Sequence, residues 1–264
     1  MQSVAAAAAA VLATPEPFSK AMAARALARA WRQGRLAHVF DVAMPDRPGR
    51  PERPALVSAT AMPKRGRAGS AKTRFATLHA LAHIEFNAID LAVDIAGRFG
   101  AGMPRAFVDD WLGVAADEAM HFALVARRLA ALGGSYGDLP AHDGLWQSAE
   151  DTADCVLARL AVVPMVLEAR GLDVTPEMVA RFEAAGDERS AAILRRILAD
   201  EIGHVAAGVR WFTCAAIDRR FDPAREWQRL VSDRFRGRVK PPFNDSARDE
   251  AGLTRDYYEA IAAT

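Results

Sequence analysis

Two heptapeptides, eighty-three residues apart, carry the same acids and histidine in the same order: ADEAMHF (Ala116–Phe122) and ADEIGHV (Ala199–Val205). In each, glutamate and histidine are three positions apart, which places both on one face of a helix and within reach of one ion. One Glu-x-x-His alone is weak, since a chain with six histidines and an ordinary share of glutamate can supply it by chance. Two of them, each preceded by aspartate, need an account. Glu85, in AHIEFNAIDLAVD, and Glu168, in LAVVPMVLEARG, each add an acid inside an apolar helical stretch. Glu85 precedes Glu118 by 33 positions, and Glu168 precedes Glu201 by 33. The first interval is centred on Ala101-Gly102, inside the turn signal GAGMP. An antiparallel hairpin folded there sets both glutamates at one height, about 24 Å from the turn at ~1.5 Å rise per residue. The second interval is centred beside Gly186, although Gly171 and Thr175-Pro176 make that leg look irregular. Two hairpins thus deliver one glutamate and one Glu-x-x-His apiece to a common level.

The chemistry this permits is a dinuclear metal centre held by Glu85, Glu118, His121, Glu168, Glu201 and His204. Four buried carboxylates without counter-charge are too costly to leave bare. Two divalent cations balance them, with neutral imidazoles completing the shell. Oxygen-rich ligands with two nitrogens and no thiolate favour iron or manganese over copper(I), and a mixed manganese/iron pair is compatible with them. Asp117 and Asp200 are expected to orient the histidines by accepting their second ring N–H, each reaching the histidine of the other hairpin. His83 is two positions from Glu85 and so on the wrong face; it and His79 read as packing or supporting residues. His38 and His142 read as surface or connection residues. Gly203, beside His204, reads as room for a substrate or as a tight packing contact.

The elements that must position these residues are helices. Alanine, leucine and arginine dominate, and β-branched and aromatic residues are scarce. Residues 3–38 read as one or two amphipathic helices, and 44–72 as an extended strap rich in proline, glycine and basic residues. Long helices follow over about 73–99 and 104–132, with a connection at 135–147, then a third over about 148–170 stopping at Gly171. Thr175-Pro176-Glu177 reads as a new helix start. Asp187 caps a last long helix running to about Arg220, and the tail reads as short helices around VKPPFND. The expectation is an all-α fold: a four-helix bundle with one long crossover over 73–220, preceded by helices and strap (1–72) and followed by a helical tail (221–264).

Bulk properties bound the function. A formal charge of +1 argues against a general polyanion binder. Cys155 and Cys214 are isolated, with no disulfide framework, so a reducing cytoplasm is the expected location. The opening VAAAAAAVLA lacks a basic leader and runs into Pro15, so it reads as an ordinary helix. No apolar run reaches membrane-spanning length.

The order Glu, Asp-Glu-x-x-His, Glu, Asp-Glu-x-x-His resembles the ferritin-like di-iron carboxylate superfamily, which includes ribonucleotide reductase small subunits and bacterial multicomponent monooxygenases. HALAHIEFNAIDLAVD, EARGLDVTPEMVARFEAAGD and the VKPPFND tail resemble more closely an uncharacterised ferritin-like family of unknown function, similar in fold to a tRNA-modifying di-iron hydroxylase. The resemblance covers about residues 10–255 and implies a fold and a metal site without naming a substrate.

Three functions fit these readings. The first is an O2-activating oxidoreductase or hydroxylase. Lacking GxGxxG and iron–sulfur cysteines, it would draw electrons from an external reductase or ferredoxin and act on a small molecule or RNA. The second is a ferroxidase or iron-handling protein, and the third a metal-stabilised RNA- or nucleotide-binding protein. A homodimer is compatible with each. The basic strap (Arg47, Arg50, Arg53, Lys64, Arg65, Arg67, Lys72, Arg74) and tail (Arg225, Arg229, Arg234, Arg236, Arg238, Lys240) could hold phosphates, but a salt-bridged surface is the commoner outcome for such charge.

Overall fold

The computed structural model describes residues 1–62 and 70–262, and over these the chain is all-α. It is organised as two compact units, Met1–Trp146 and Gln147–Thr264, with the division inside the stretch that the sequence reads as a connection.

In the first unit a two-residue strand, β1 (Gln2–Ser3), pairs in parallel with β2 (Leu36–Ala37). Ser3 caps α1 (Val4–Ala13) by accepting the Ala6 N–H. Glu16 caps α2 (Pro17–Arg32) by accepting from Phe18 and Ser19, with Pro17 at the first helical position where its missing N–H costs nothing. Ser70 and Thr73 form a capping box that opens α3 (Ala71–Phe99), and a single tight turn at Gly100–Gly102 leads into α4 (Arg105–Ala131). α3 and α4 form the hairpin that GAGMP implies; α1 lies on α3 and α2 on α4. Trp31, Phe86, Phe107, Trp111 and Phe122 fill the core.

Residues of the strap are sewn to this hairpin by buried charge. Asp90, on α3, is fully buried and takes the Lys20 ammonium at 2.6 Å together with the Arg50 guanidinium. Lys20, equally buried, also donates to Gly49 O (2.9 Å), and Arg50 donates to Asn87 (2.6 Å). One turn further along the same face, Asp94 holds Arg98, which in turn donates to Pro45 O (2.9 Å). Extended backbone therefore lies in register against α3 without a ladder of its own. Lys64, Arg65 and Arg67 lie outside the described residues.

The second unit corrects the expected third helix. After α5 (Gly144–Glu150), the chain breaks at 151–154 and re-enters α6 (Val156–Val162). The break is stabilised by Arg159, fully buried, which donates to Ala149 O (2.6 Å) and to the Thr152 hydroxyl (2.9 Å). A π-helical segment (Val163–Glu168) then leads directly into α7 (Ala169–Ala184). The helix neither stops at Gly171 nor restarts at Thr175, and Pro176 sits inside it. The proline removes the N–H that would bond Leu172 O, and the Asn244 side-chain amide donates to that carbonyl instead, at 3.1 Å. Tertiary replacement of the lost bond is why the helix-start signal fails.

Gly186, at φ +71, turns the chain, and Asp187 caps α8 (Glu188–Asp218) through the Ser190 N–H, as its position implies. α8 packs on α7 and on the π segment. The tail forms α9 (Pro223–Arg234), which covers α6, then α10 (Asp245–Glu250) and α11 (Arg255–Tyr258). No helix among the described residues is long and apolar enough to cross a membrane.

Candidate metal centre

The hairpin of the first unit brings three of the expected ligands together. Glu118 and His121 project from one face of α4, and Glu85 meets them from α3. His121 Nδ1 lies 3.3 Å from Glu85 Oε2 and 3.3 Å from Glu118 Oε2. All three are buried, and each offers a ligand atom within 4.8 Å of the others, an arrangement that could hold a metal ion. The 33-residue offset read about the glycine turn thus corresponds to a real juxtaposition.

The electrostatics are those of a site built for a cation. Burial raises the Glu85 pKa well above the carboxylate range, the neighbouring charge of Glu118 adds to this, and His121 opposes it. Burial acts to lower the His121 pKa, but hydrogen bonds to Glu118 and Glu85 outweigh it and push the imidazole up to about 11. Without a metal, protons therefore supply the positive charge that these crowded carboxylates require; a bound cation would displace them. Two hard carboxylates and one imidazole suit a first-row divalent ion.

The second unit repeats the pattern. Glu201 and His204 are buried on α8, with His204 Nδ1 3.6 Å from Glu201 Oε2. Glu168 ends the π segment. Its height is fixed by a close approach: a Cβ on Gly208 would meet Pro164 Cβ at 2.5 Å, so only glycine admits the π segment this near α8. Pro164 and Gly208 are each 22 positions from Gly186. π turns are rare and recur at functional positions, where the extra residue re-aims a side chain.

Asp117 and Asp200, the expected supports, are both half-buried; Asp200 accepts the Arg196 Nε–H at 2.6 Å. His79 and His83 are structural, as their facing implies. His79 Nε2 accepts the Gly137 (2.9 Å) and Leu139 (3.3 Å) N–H groups. His83 bonds the Tyr136 hydroxyl (2.9 Å) and His142 O (3.0 Å), and burial pulls its pKa down to about 4. A Cβ on Gly203 would meet nothing within 4 Å, so the tight contact considered for it does not exist.

What the sequence reading missed is the buried Lys20–Asp90–Arg50 cluster. A signal was present, since Asp90 and Asp94 recur four apart in the same apolar run as Glu85. Half of the basic tail is salt-bridged: Arg229 pairs with Glu226 and Asp233, Arg234 with Asp154, and Arg236 with Asp151.

A family described as a protein of unknown function, DUF455, matches residues 13–259. An uncharacterised protein of Haemophilus influenzae is 44% identical over 211 residues, covering 78% of this chain and 73% of its own length. No solved structure matches. With nearly its whole length matched, the chain belongs to the DUF455 family.

Proposed function

We propose that Glu85, Glu118, His121, Glu168, Glu201 and His204 act as one dinuclear set for iron, or for manganese with iron, in an O2-activating oxidoreductase of the ferritin-like kind. The observation that carries this reading is the convergence of Glu85 and Glu118 on one nitrogen of buried His121, echoed by Glu201 and His204. Ions bound there would supply the redox chemistry with dioxygen that no side chain of the chain provides. The chain's own part is to hold four carboxylates and two imidazoles fixed and dry. Asp117 and Asp200 orient the imidazoles. Burial of Glu85, Glu118 and His121 keeps water from the reacting positions. Electrons come from a separate reductase or ferredoxin.

Metal analysis of the full chain, expressed with iron and manganese, tests this. About two ions per chain are expected, falling to one or none in Glu118→Ala and in Glu201→Ala, together with O2 uptake on chemical reduction. Metal-free protein under replete conditions, or equal loading of the variants, would overturn the reading.

A further inference from the structure

Arg238 and Lys240, of the basic tail, take no part in its salt bridges. Among the described residues, the side chains of Arg238 and Lys240 have neither a hydrogen bond nor an ion pair, whereas Arg229, Arg234, Arg236 and Arg255 each hold a carboxylate. Both line a cleft of about 120 Å³ in the second unit. Its other wall is the π segment and the first turn of α7, which add Arg170 and Asp173.

The cleft is held rigid by bonds that leave it positive. Arg248, buried, grips Asp173 with two parallel bonds of 2.8 Å, and its guanidinium carbon lies 4.5 Å from the centre of the Tyr258 ring. The one carboxylate in the lining is thereby neutralised. Arg170 donates to Lys240 O (2.9 Å) and Pro242 O (3.0 Å), fastening the loop to α7, and the Asn244 N–H bonds Asp173 Oδ1 (3.0 Å). Gly237 lets this loop curl over Phe235, since a Cβ there would meet the ring at 2.4 Å. Arg170, Arg238 and Lys240 are left as a positive surplus around a concave floor formed by Leu167, Phe235 and Val239. Cations beside apolar surface select a ligand that is charged at one end and apolar behind it.

We infer that this cleft binds a small phosphate monoester with an apolar body, the phosphate held by Arg170, Arg238 and Lys240. A dianionic phosphate matches the surplus better than a monoanionic carboxylate, and arginine forks suit its oxygens. Leu167 lines the cleft and immediately precedes Glu168, so the ligand is anchored one residue from a proposed metal ligand. Its use as a substrate anchor rests on the metal reading; the binding does not.

Calorimetric titration of the full chain with phenyl phosphate, inorganic phosphate, benzoate and a short single-stranded RNA tests it. Expected are saturable binding of phenyl phosphate, weaker binding of inorganic phosphate, and benzoate weaker than phenyl phosphate by about tenfold or more. The doubly substituted Arg238→Gln/Lys240→Gln, both positions exposed, should lose at least about tenfold in phenyl phosphate affinity with melting temperature and metal content unchanged. No binding of phenyl phosphate at millimolar concentration, equal binding by the double variant, benzoate binding as well as phenyl phosphate, or binding of RNA alone would each overturn the proposal. Metal content, measured on the same samples, reports separately on the dinuclear reading.

Discussion

Glu85 and His121 are 36 positions apart in the chain, on different helices, yet their facing atoms are 3.3 Å apart and both are buried. Such a pair is costly to assemble without a cation to share. Its presence, with Glu118 alongside, means the first unit gives up folding energy to keep a site in place.

Glu85→Gln therefore should separate stability from metal binding. The neutral isostere needs no proton taken up on burial, so at neutral pH the metal-free protein should gain about 1 kcal/mol or more. Metal binding should weaken sharply. Urea denaturation of metal-stripped samples and metal titration of the same variant check both arms; a destabilised metal-free variant would contradict the account of the site.

Lys20→Met should be among the most damaging single changes away from the metal ligands. It deprives fully buried Asp90 of one of its two cations, and breaking a buried pair in this way costs about 3–5 kcal/mol. Adding Asp90→Asn to Lys20→Met should recover a large part of that loss. A double variant no more stable than the single one would show that the charge pairing is not the cause.

Gly208→Ala should cost about 1–3 kcal/mol, because the new methyl overlaps Pro164 and must push the π segment from α8. The same shift carries Glu168 with it. Metal occupancy should therefore fall along with the melting temperature, whereas Gly203→Ala, whose Cβ meets open space at an exposed helical position, should leave metal occupancy unchanged and add about 1 kcal/mol of stability.

Burial lowers the His79 pKa, with Asp138 partly opposing. In the unfolded chain the group titrates near the ordinary value of about 6.5. Between that value and the lower folded one the unfolded state binds the extra proton, so the contribution is complete above pH ~6.5 and is lost as pH falls below it. His79→Gln, which still offers an acceptor to Gly137 N, should flatten that part of the stability profile. Urea midpoints of both proteins measured from neutral to mildly acid pH check this; parallel slopes would refute it.

The first hairpin was legible because its turn, its capping and its acid spacing all belong to one continuous α-helical period. Glu85, Glu118 and His121 could be placed by counting alone. The second hairpin was legible in outline only. Its leg contains two prolines and a π turn, and local signals at Gly171 and Thr175 favour a break. Asn244, seventy-two positions downstream of Leu172, supplies the missing donor, and no local window contains it. Buried charge escaped for a similar reason: Lys20 reads as an exposed residue of an amphipathic helix until Gly49, Arg50 and Asp90 are brought to it by the strap.

The π segment has a consequence for how this chain can vary in length. One added residue rotates everything that follows by about 100° about the helix axis. The segment thus acts as a phase setting: the residues before it keep their packing against α9 and α8 while Glu168 is clocked to its own direction. Ordinary winding at an unchanged residue count would turn Glu168 away without unravelling the helix, whereas deleting one residue between Val163 and Leu167 would close the π turn and leave Glu168 near its present direction. A length change here should therefore take the form of losing that one residue, with other insertions and deletions confined to the connections of the chain.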